Sequence, residues 1–182
     1  AFGGSGSNTY TLSGGVNYQG GTSLTASGAL TASLGDISTG YELFENTENF
    51  EVDFLLMGSG AGTKSTVQAK ANKIIAVAEL RKDAVAFISP SRNTFISDGA
   101  VGTVTVNNDS AITNSVVDFY SPITSTTYGV FDSGYKYMYD RFSDTFRYVP
   151  LNGDIAGTCA RNDLTQFPWF SPAGNSRGAI LN

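Results

Sequence analysis

The stretch FEVDFLLMGSGAGTKSTVQAKANKIIAVAELRKDAVAFIS, residues 50–89, carries the strongest structural signal in this chain. It begins and ends with short runs that are apolar on both faces, 54–57 and 84–88, and such runs are typical of buried strands. Between them apolar residues recur at helical spacing, at Val67, Ala71, Ile74 and Ala78. We therefore predict a strand over 50–57, a helix that is capped by Thr63 or Ser65 and ends near Leu80, and a second strand over 83–89. A connection of this length makes the strands parallel, with a right-handed crossover.

The alternation of strands and helices continues downstream of this unit. The pattern predicts a weak strand near 101–106, a helix over 111–120 capped by Asn108 or Asp109, and a strand over 126–131. The fold class is therefore α/β, a layered sheet with flanking helices.

The upstream part of the chain divides into two segments. Residues 1–35 are rich in glycine, serine and threonine, and we expect a loop segment that is ordered by its neighbours. The α/β domain is expected over 36–182. Its first element is a short helix that ends near Thr47, with Asp36 as its N-cap.

A tyrosine-rich hairpin is predicted after these elements. Two strand-like runs, 135–140 and 145–149, flank the polar break 141–144. Tyr135, Tyr137 and Tyr139 share one face of the first strand, because side chains alternate along a strand. Such a stripe can stack bases, but nearby carboxylates offset the few basic residues. Packing against the α/β layer or a neighbouring subunit is therefore favoured.

The helix that follows the hairpin also has sequence signals. Pro150 ends the second strand, and Asn152 or Asp154 is the expected N-cap of the helix. Cys159 lies among apolar residues of this helix, where we predict a buried, unreactive thiol.

Composition excludes several classes of function. The net charge is −5 at pH 7, which argues against nucleic acid as a partner. The chain has no histidine, which removes Ser-His-Asp and Cys-His catalysis and most zinc sites. No apolar run approaches the length of a transmembrane helix, so we expect no membrane insertion. We therefore expect no catalytic residue, no cofactor, no metal and no enzymatic activity.

The turn Gly58–Ser65 is the one feature that resembles a phosphate-binding loop. It lies between a predicted strand and a predicted helix and ends in Lys64-Ser65, but Thr63 stands where a P-loop requires glycine. A β-branched residue adopts the left-handed backbone of that position only at high cost. An α/β nucleotide-binding or hydrolase domain that uses this turn is kept as the alternative function.

Charge is unevenly distributed along the chain. Acidic residues dominate 36–53 and basic residues dominate 64–82. Two solvated faces would explain this pattern. A second interpretation is a pair of complementary patches that meet between neighbouring subunits. The residues of these patches are Asp36, Glu42, Glu45 and Glu48 on the acidic side, and Lys64, Lys70, Lys73 and Lys82 on the basic side.

The region 134–178 resembles one protein family. It reads GYKYMYDRFSDTFRYVP at 134–150, LNGDIAGTCARND at 151–163 and PWFSPAGNSRG at 168–178. This order is similar to that of the contractile tail sheath proteins of T4-like phages, in which a tyrosine-rich hairpin precedes a helix and a W-x-S-P-A-G-x-x-R-G loop. The matching positions are Tyr135, Tyr137, Pro150, Asp154, Arg161, Asp163, Trp169, Pro172, Gly174, Arg177 and Gly178.

The resemblance implies a function in assembly. The chain would be the subtilisin-like α/β body of a sheath subunit, with residues 1–35 returning from an outer domain and with the terminal arms outside this segment. Its expected partners are other copies of itself in a helical array, the tail tube protein, and the baseplate and tail terminator proteins. Its expected location is the virion tail, after assembly in the host cytoplasm. The sheath of a bacteriocin or secretion system would look the same over this segment.

Within this region, the resemblance assigns Arg161, Asp163 and Arg177 to the structural body. We expect them to form a buried ion-pair network that ties the loop to the helix.

Overall fold

The computed structural model describes residues 33–98, 104–142, 144–175 and 177–180, and most of the expected loop segment 1–35 lies outside them. The helices and strands in chain order are α1 (Leu34–Glu42), β1 (Phe54–Leu56), α2 (Lys64–Arg81), β2 (Val85–Ile88), β3 (Ile96–Asp98), β4 (Val104–Val106), α3 (Asp109–Tyr120), β5 (Gly129–Phe131), β6 (Tyr135–Asp140), β7 (Thr145–Pro150) and α4 (Asn152–Asp163). Short 3₁₀ helices lie at Leu43–Glu45 and Arg92–Thr94. The mixture of strands and helices agrees with the α/β class.

Three strands form a parallel sheet with β2 at its centre. The order is β1-β2-β5, and Ala86 of β2 lies between Leu55 of β1 and Gly129 of β5. The predicted parallel pairing of β1 with β2 is confirmed. The carboxyl ends of all three strands therefore meet at one edge of the sheet, and this edge positions the site described below.

Helix α2 covers one face of the sheet. Its buried residues pack with those of β1 and β2 in the main core cluster: Leu55, Met57, Val67, Ala71, Ile74, Ile75, Val77, Ala78, Ala84, Ala86, Ile88 and Phe119. Phe87 is also buried, but it alternates with Ala86 and Ile88 and so lies on the opposite face. Helix α4 contacts β1 and β2 and buries Ala156. Within the described ranges, no helix combines the length and apolar character that crossing a membrane requires.

Some of the helix N-caps are the residues that the sequence predicted, and one is not. Thr63 caps α2 by accepting a hydrogen bond from the Thr66 N–H at 3.3 Å, as predicted. Asn108 caps α3 through the Ala111 N–H at 2.9 Å, which is also as predicted. The prediction of Asp36 as an N-cap is wrong. Ser33 is the N-cap, and Asp36 occupies the third helical position and accepts a hydrogen bond from the Ser33 N–H at 3.1 Å, completing a capping box.

The first predicted strand is shorter than expected because Arg81 binds the chain before it. The side chain of Arg81 is fully buried. It donates hydrogen bonds to the carbonyl oxygens of Phe44, at 2.6 Å, and Phe50, at 3.0 Å. It also pairs with Asp83 through Nε at 2.9 Å. These bonds hold 44–50 against the end of α2, so only Phe54–Leu56 joins the sheet.

Two small antiparallel sheets complete the described chain. β3 pairs with β4, and the sequence predicted only the second of these strands. β6 pairs with β7, with Tyr135 opposite Pro150 and Asp140 opposite Thr145. β7 leads directly into α4, with only Leu151 between them.

Candidate functional site at the carboxyl edge of the sheet

The turn after β1 is held by hydrogen bonds from the protein itself. The backbone of Gly58 and Gly62 is left-handed, with φ of 68° and 116°. The carbonyl oxygen of Gly58 accepts from Asn152 Nδ2 at 2.9 Å, and that of Gly60 accepts from the Arg92 N–H at 2.9 Å. Thr63 has an extended backbone, as a helix N-cap requires. Contacts within the protein thus hold this turn, and Thr63 lacks the left-handed backbone of a P-loop, so the geometry does not favour an α/β nucleotide-binding domain.

Lys70 lies on α2, and its buried side chain contacts this turn instead of forming part of a surface patch. Its side chain is buried, and Nζ donates to the carbonyl oxygen of Ser59 at 2.9 Å. Burial lowers the pKa of Lys70 to about 8, because removal from water disfavours the ammonium form. The prediction of Lys70 as part of a basic contact patch is therefore wrong.

A buried polar cluster lies where the three parallel strands end. Ser89, which follows β2, is fully buried. Its Oγ accepts hydrogen bonds from both N and Nδ2 of Asn152, each at 3.0 Å, and donates to Asp132 Oδ2 at 2.6 Å. Asp132 follows β5, and its Oδ1 accepts from the Gly134 N–H at 3.0 Å. One hydroxyl group thus joins the ends of β2 and β5 to the start of α4, and we call this cluster the joint.

The joint explains why one predicted helix cap is wrong. Asn152 does not cap α4 from outside; it is the first residue of the helix, and Leu151 is the N-cap without a side-chain hydrogen bond. The Asn152 amide instead reaches Gly58 and Ser89. Asp154 does not cap the helix either, since its carboxylate pairs with Lys136 Nζ at 2.7 Å.

Two tyrosines on other elements donate hydrogen bonds to backbone carbonyl groups in and next to the joint. The Tyr120 hydroxyl donates to the backbone carbonyl oxygens of Asp132, at 2.6 Å, and Ile88, at 3.1 Å. The Tyr135 hydroxyl donates to the carbonyl oxygen of Pro90 at 2.9 Å, and its ring packs on Phe95. Burial raises the pKa of both tyrosines, so they stay protonated and act as donors.

The joint holds the fold together, and its groups are not arranged for catalysis or metal binding. Ser89 already makes three hydrogen bonds and is inaccessible to solvent, so it cannot act as a nucleophile. Burial, more than any other cause, raises the pKa of Asp132 to about 6. Among the described residues, no group of three or more potential ligand side chains that could hold a metal ion is found.

Substitution of Ser89 with alanine should destabilise the joint. The change removes one hydroxyl group, with almost no change in shape, and leaves the buried Asn152 amide donors without their acceptor. We expect the free energy of unfolding of the full-length protein to fall by about 1–3 kcal/mol, the cost of a buried donor left unpaired. Urea denaturation followed by circular dichroism measures the change. Ser125→Ala is the matched control, because Ser125 is exposed, and equal stability of both variants would contradict the role of Ser89.

The tyrosine stripe of the hairpin is divided between the interior and the surface. Tyr135 packs against the α/β part of the chain, whereas Tyr137 and Tyr139 remain exposed at 57% and 47%. Tyr137 stacks on Phe146 across the hairpin, with ring centroids 5.1 Å apart. Phe142 at the turn is almost fully exposed. The prediction of packing against the α/β layer is thus confirmed for Tyr135 alone.

The loop after α4 is tied to the helix through backbone carbonyl groups. Arg161 Nη2 donates to the carbonyl oxygens of Arg177 and Ala179, each at 2.8 Å. Asp163 and Arg177 are exposed, and the Arg177 guanidinium lies 6.0 Å from the centre of the Phe170 ring. The predicted buried ion-pair network of Arg161, Asp163 and Arg177 is therefore wrong, although Arg161 does connect the loop to the helix.

The other motif residues of this loop form a tight turn beside an exposed aromatic pair. Gly174 has a φ of 114°, and its carbonyl oxygen accepts from the Gly178 N–H at 2.8 Å. A Cβ on Gly178 would lie only 2.9 Å from the carbonyl oxygen of Pro172, so only glycine fits there. Trp169 stacks parallel to Phe167 at 4.7 Å and is 76% exposed.

Most of the predicted contact patches have partners inside the chain. Lys73 Nζ pairs with Glu42 at 2.8 Å and with Glu45 at 3.3 Å, which joins α2 to α1 and the segment after it. Lys64 pairs with Asp118 of α3. Asp36 belongs to its capping box. Glu48 and Lys82 are exposed members of the two patches, and Lys82 is the left-handed C-cap of α2.

The residues of the joint were missed by sequence reasoning, although a signal was present. Ser89 follows directly after the buried strand β2 and Asp132 directly after β5, and the carboxyl ends of parallel strands meet at one edge of a sheet. Cys159, by contrast, was predicted to be buried and is half-buried; burial, with the nearby Asp163 charge adding to it, raises the pKa of its thiol.

Comparison with known proteins gives a consistent result. No family model matches the chain. It is 36% identical over 168 residues, 87% of its length, to the tail sheath protein of Enterobacteria phage T4. It is 35% identical over 179 residues, 93% of its length, to the tail sheath protein of Vibrio phage KVP40. The tail sheath protein of Salmonella phage ViI is 32% identical over 103 residues. The chain spans 25% of the length of the first two relatives. The chain therefore belongs to the family of phage tail sheath proteins.

Proposed function

We propose that the chain is part of the structural subunit of a phage contractile tail sheath. The observation that carries this proposal is identity of 35–36% to two tail sheath proteins over nearly the whole chain. The subunits would assemble helically around the tail tube and then contract, driving the tube through the host envelope before genome ejection. The protein would be a component of the virion tail that is assembled in the host cytoplasm.

The fold supports a rigid, non-enzymatic role for this segment. We infer that residues 36–182 belong to a subtilisin-like body, with the β6–β7 hairpin appended and with 1–35 leading in from an outer domain. The parallel sheet, the fully buried Arg81 side chain and the joint fix the elements to one another, which suits subunits that move as rigid bodies. These 182 residues contain no histidine, so the fold would be used here without protease chemistry. The energy of contraction would come from the assembled lattice.

The partners in this proposal are other copies of the protein, the tail tube protein, and the baseplate and tail terminator proteins. Charge would contribute to the contact between copies through a smaller set of residues than the sequence predicted. Glu48 and Lys82 are the exposed members that remain after Lys73, Lys64 and Lys70 are assigned to contacts within the chain. Opposite charges on the two surfaces of a repeating contact fix its register.

Electron microscopy of the purified full-length protein tests the proposal. Hollow tubes with a helical repeat are expected at high protein concentration. Monomers or closed rings that persist at both low and high salt would contradict it.

A charge exchange tests the proposed contact residues separately. Glu48→Lys should reduce tube formation, and the double variant Glu48→Lys/Lys82→Glu should restore it, because the exchange recreates opposite charges across the contact. Asp163→Lys is the control, since Asp163 is exposed but lies outside both patches. Wild-type assembly of the Glu48→Lys variant would remove these residues from the contact and leave the sheath proposal intact.

A further inference from the structure

Three aromatic side chains on the loop after α4 form an exposed patch. Phe167 and Trp169 stack in parallel with ring centroids 4.7 Å apart, and the ring of Phe170 lies 6.3 Å from that of Phe167. Their exposed fractions are 60% for Phe167, 76% for Trp169 and 41% for Phe170. Single exposed apolar residues are common on protein surfaces, whereas a contiguous apolar group marks a contact with another surface. We call these three residues the aromatic patch.

Hydrogen bonds hold the aromatic patch in one conformation. The Phe170 N–H donates to the carbonyl oxygen of Phe167 at 2.9 Å, which closes a turn. Asn162 Nδ2, on α4, donates to the carbonyl oxygen of Phe170 at 2.9 Å. Arg161 ties the later part of the same loop to α4 through two backbone carbonyl groups. A surface that is ordered before it is bound loses less conformational entropy on binding, so this patch is suited to docking.

A buried polar atom beside the aromatic patch lacks a hydrogen-bond donor. Asn162 is only 4% exposed, and its Nδ2 binds Phe170. Among the described residues, none donates to Asn162 Oδ1. The amide cannot be turned over to solve this, because two oxygen acceptors would then face each other. Native proteins nearly always pair a buried acceptor with a donor. The apolar surface and the acceptor next to it are thus both incomplete within the described residues.

The size of the aromatic patch favours a covering segment from the same polypeptide. A buried aromatic side chain covers about 150–250 Å², so the exposed parts of these three amount to roughly 400 Å². A stable contact between separate subunits buries about 800 Å² on each partner. A segment of the same polypeptide needs less area, because its covalent attachment gives it a high effective concentration.

We propose that the aromatic patch is the docking site for another stretch of the full-length polypeptide, outside residues 1–182. This chain spans 25% of the length of its T4 and KVP40 relatives, so a full-length protein of similar size contains such a stretch. The docked stretch covers the three rings with apolar side chains and donates a backbone N–H to Asn162 Oδ1. Because the contact forms within one polypeptide, it is independent of whether subunits assemble into tubes.

Oxidative footprinting of the full-length wild-type protein tests whether the patch is covered. Hydroxyl radicals oxidise exposed tryptophan, and mass spectrometry of the peptides measures the rate at Trp169. In the folded monomer, this rate should be at least about fivefold lower than in urea-unfolded protein, because a docked ring is removed from solvent. A smaller reduction in the monomer, whether or not assembly adds protection, would overturn the proposal.

Photo-cross-linking of the full-length protein identifies what covers the patch. Trp169→p-benzoylphenylalanine places a photoreactive aromatic group there, and irradiation of the monomer should join it to a peptide of the same polypeptide outside residues 1–182. Phe142→p-benzoylphenylalanine is the matched control, because Phe142 is an exposed aromatic residue of the hairpin turn, and it should not yield that peptide. Cross-links confined to residues 1–182, cross-links to a second copy, or the same product from both variants would overturn the proposal.

Discussion

Replacement of Arg81 with methionine should lower the free energy of unfolding by about 3–5 kcal/mol. Methionine preserves much of the buried volume but donates no hydrogen bond. The carbonyl oxygens of Phe44 and Phe50 would lose their donor, and Asp83 would lose its partner. Denaturant unfolding of the full-length protein followed by circular dichroism measures the loss.

The adjacent residue supplies a control for this substitution. Lys82→Met makes a comparable chemical change one position later, at an exposed residue, and should alter stability by less than about 0.5 kcal/mol. The comparison separates loss of the Arg81 hydrogen bonds from the general effect of removing a positive charge at the end of α2. If the Arg81 and Lys82 variants were equally stable, the role assigned to Arg81 would be wrong.

Alanine at Gly60 should be the second strongly destabilising change, by about 1–3 kcal/mol. A Cβ at this position would lie 2.7 Å from the backbone carbonyl oxygen of Pro90, which cannot move aside as a flexible side chain would. The carbonyl oxygen of Gly60 also accepts the Arg92 N–H, so displacement of Gly60 loses that hydrogen bond as well. Thermal unfolding of the full-length protein reports the effect as a lowered Tm.

Gly157 provides the opposite control. It lies inside α4, is exposed, and has open space around the position that a Cβ would occupy, with no atom within 4 Å. Gly157→Ala should therefore raise stability by about 0.5–1 kcal/mol, because alanine is the better helix former. A destabilised Gly157→Ala variant, or a Gly60→Ala variant as stable as wild type, would contradict the packing described for the two glycines.

Features determined by local sequence were predictable. The apolar spacing and the Thr63 cap placed α2 within about one residue of its observed ends, and Asn108 correctly marked the start of α3. The parallel pairing of β1 with β2 followed from the length of the connection between them. In each case the signal lies within a few residues of the structure that it specifies.

Features set by distant contacts were not predictable in the same way. Asn152 looked like a helix cap because asparagine is a good one, but its amide binds Gly58 and Ser89, which lie 94 and 63 residues away in sequence. The first strand looked longer because the pattern did not show that Arg81 binds the carbonyl group of Phe50. A hydrogen-bonding side chain has several satisfactory partners, and the tertiary fold chooses among them.

The candidate contact residues show the same limit. The segregated charge was interpreted as two solvated faces or as patches that meet between subunits, but Lys73 pairs with Glu42 and Glu45 inside one chain. Sequence alone does not distinguish a contact within a subunit from one between subunits. The buried location of Lys70 was likewise hidden, because lysine at a helical position usually reaches solvent.

The stacked pair of Phe167 and Trp169 has a practical consequence for optical spectroscopy. The chain contains one tryptophan, so its indole emission originates entirely from the exposed loop after α4 and not from the packed sheet. Fluorescence therefore reports the surroundings of that loop, including any surface that comes to cover it. The main core cluster contains aliphatic residues, Met57 and Phe119, with Tyr41, Tyr120 and Tyr128 packed against it, so tryptophan emission does not report directly on loss of the core.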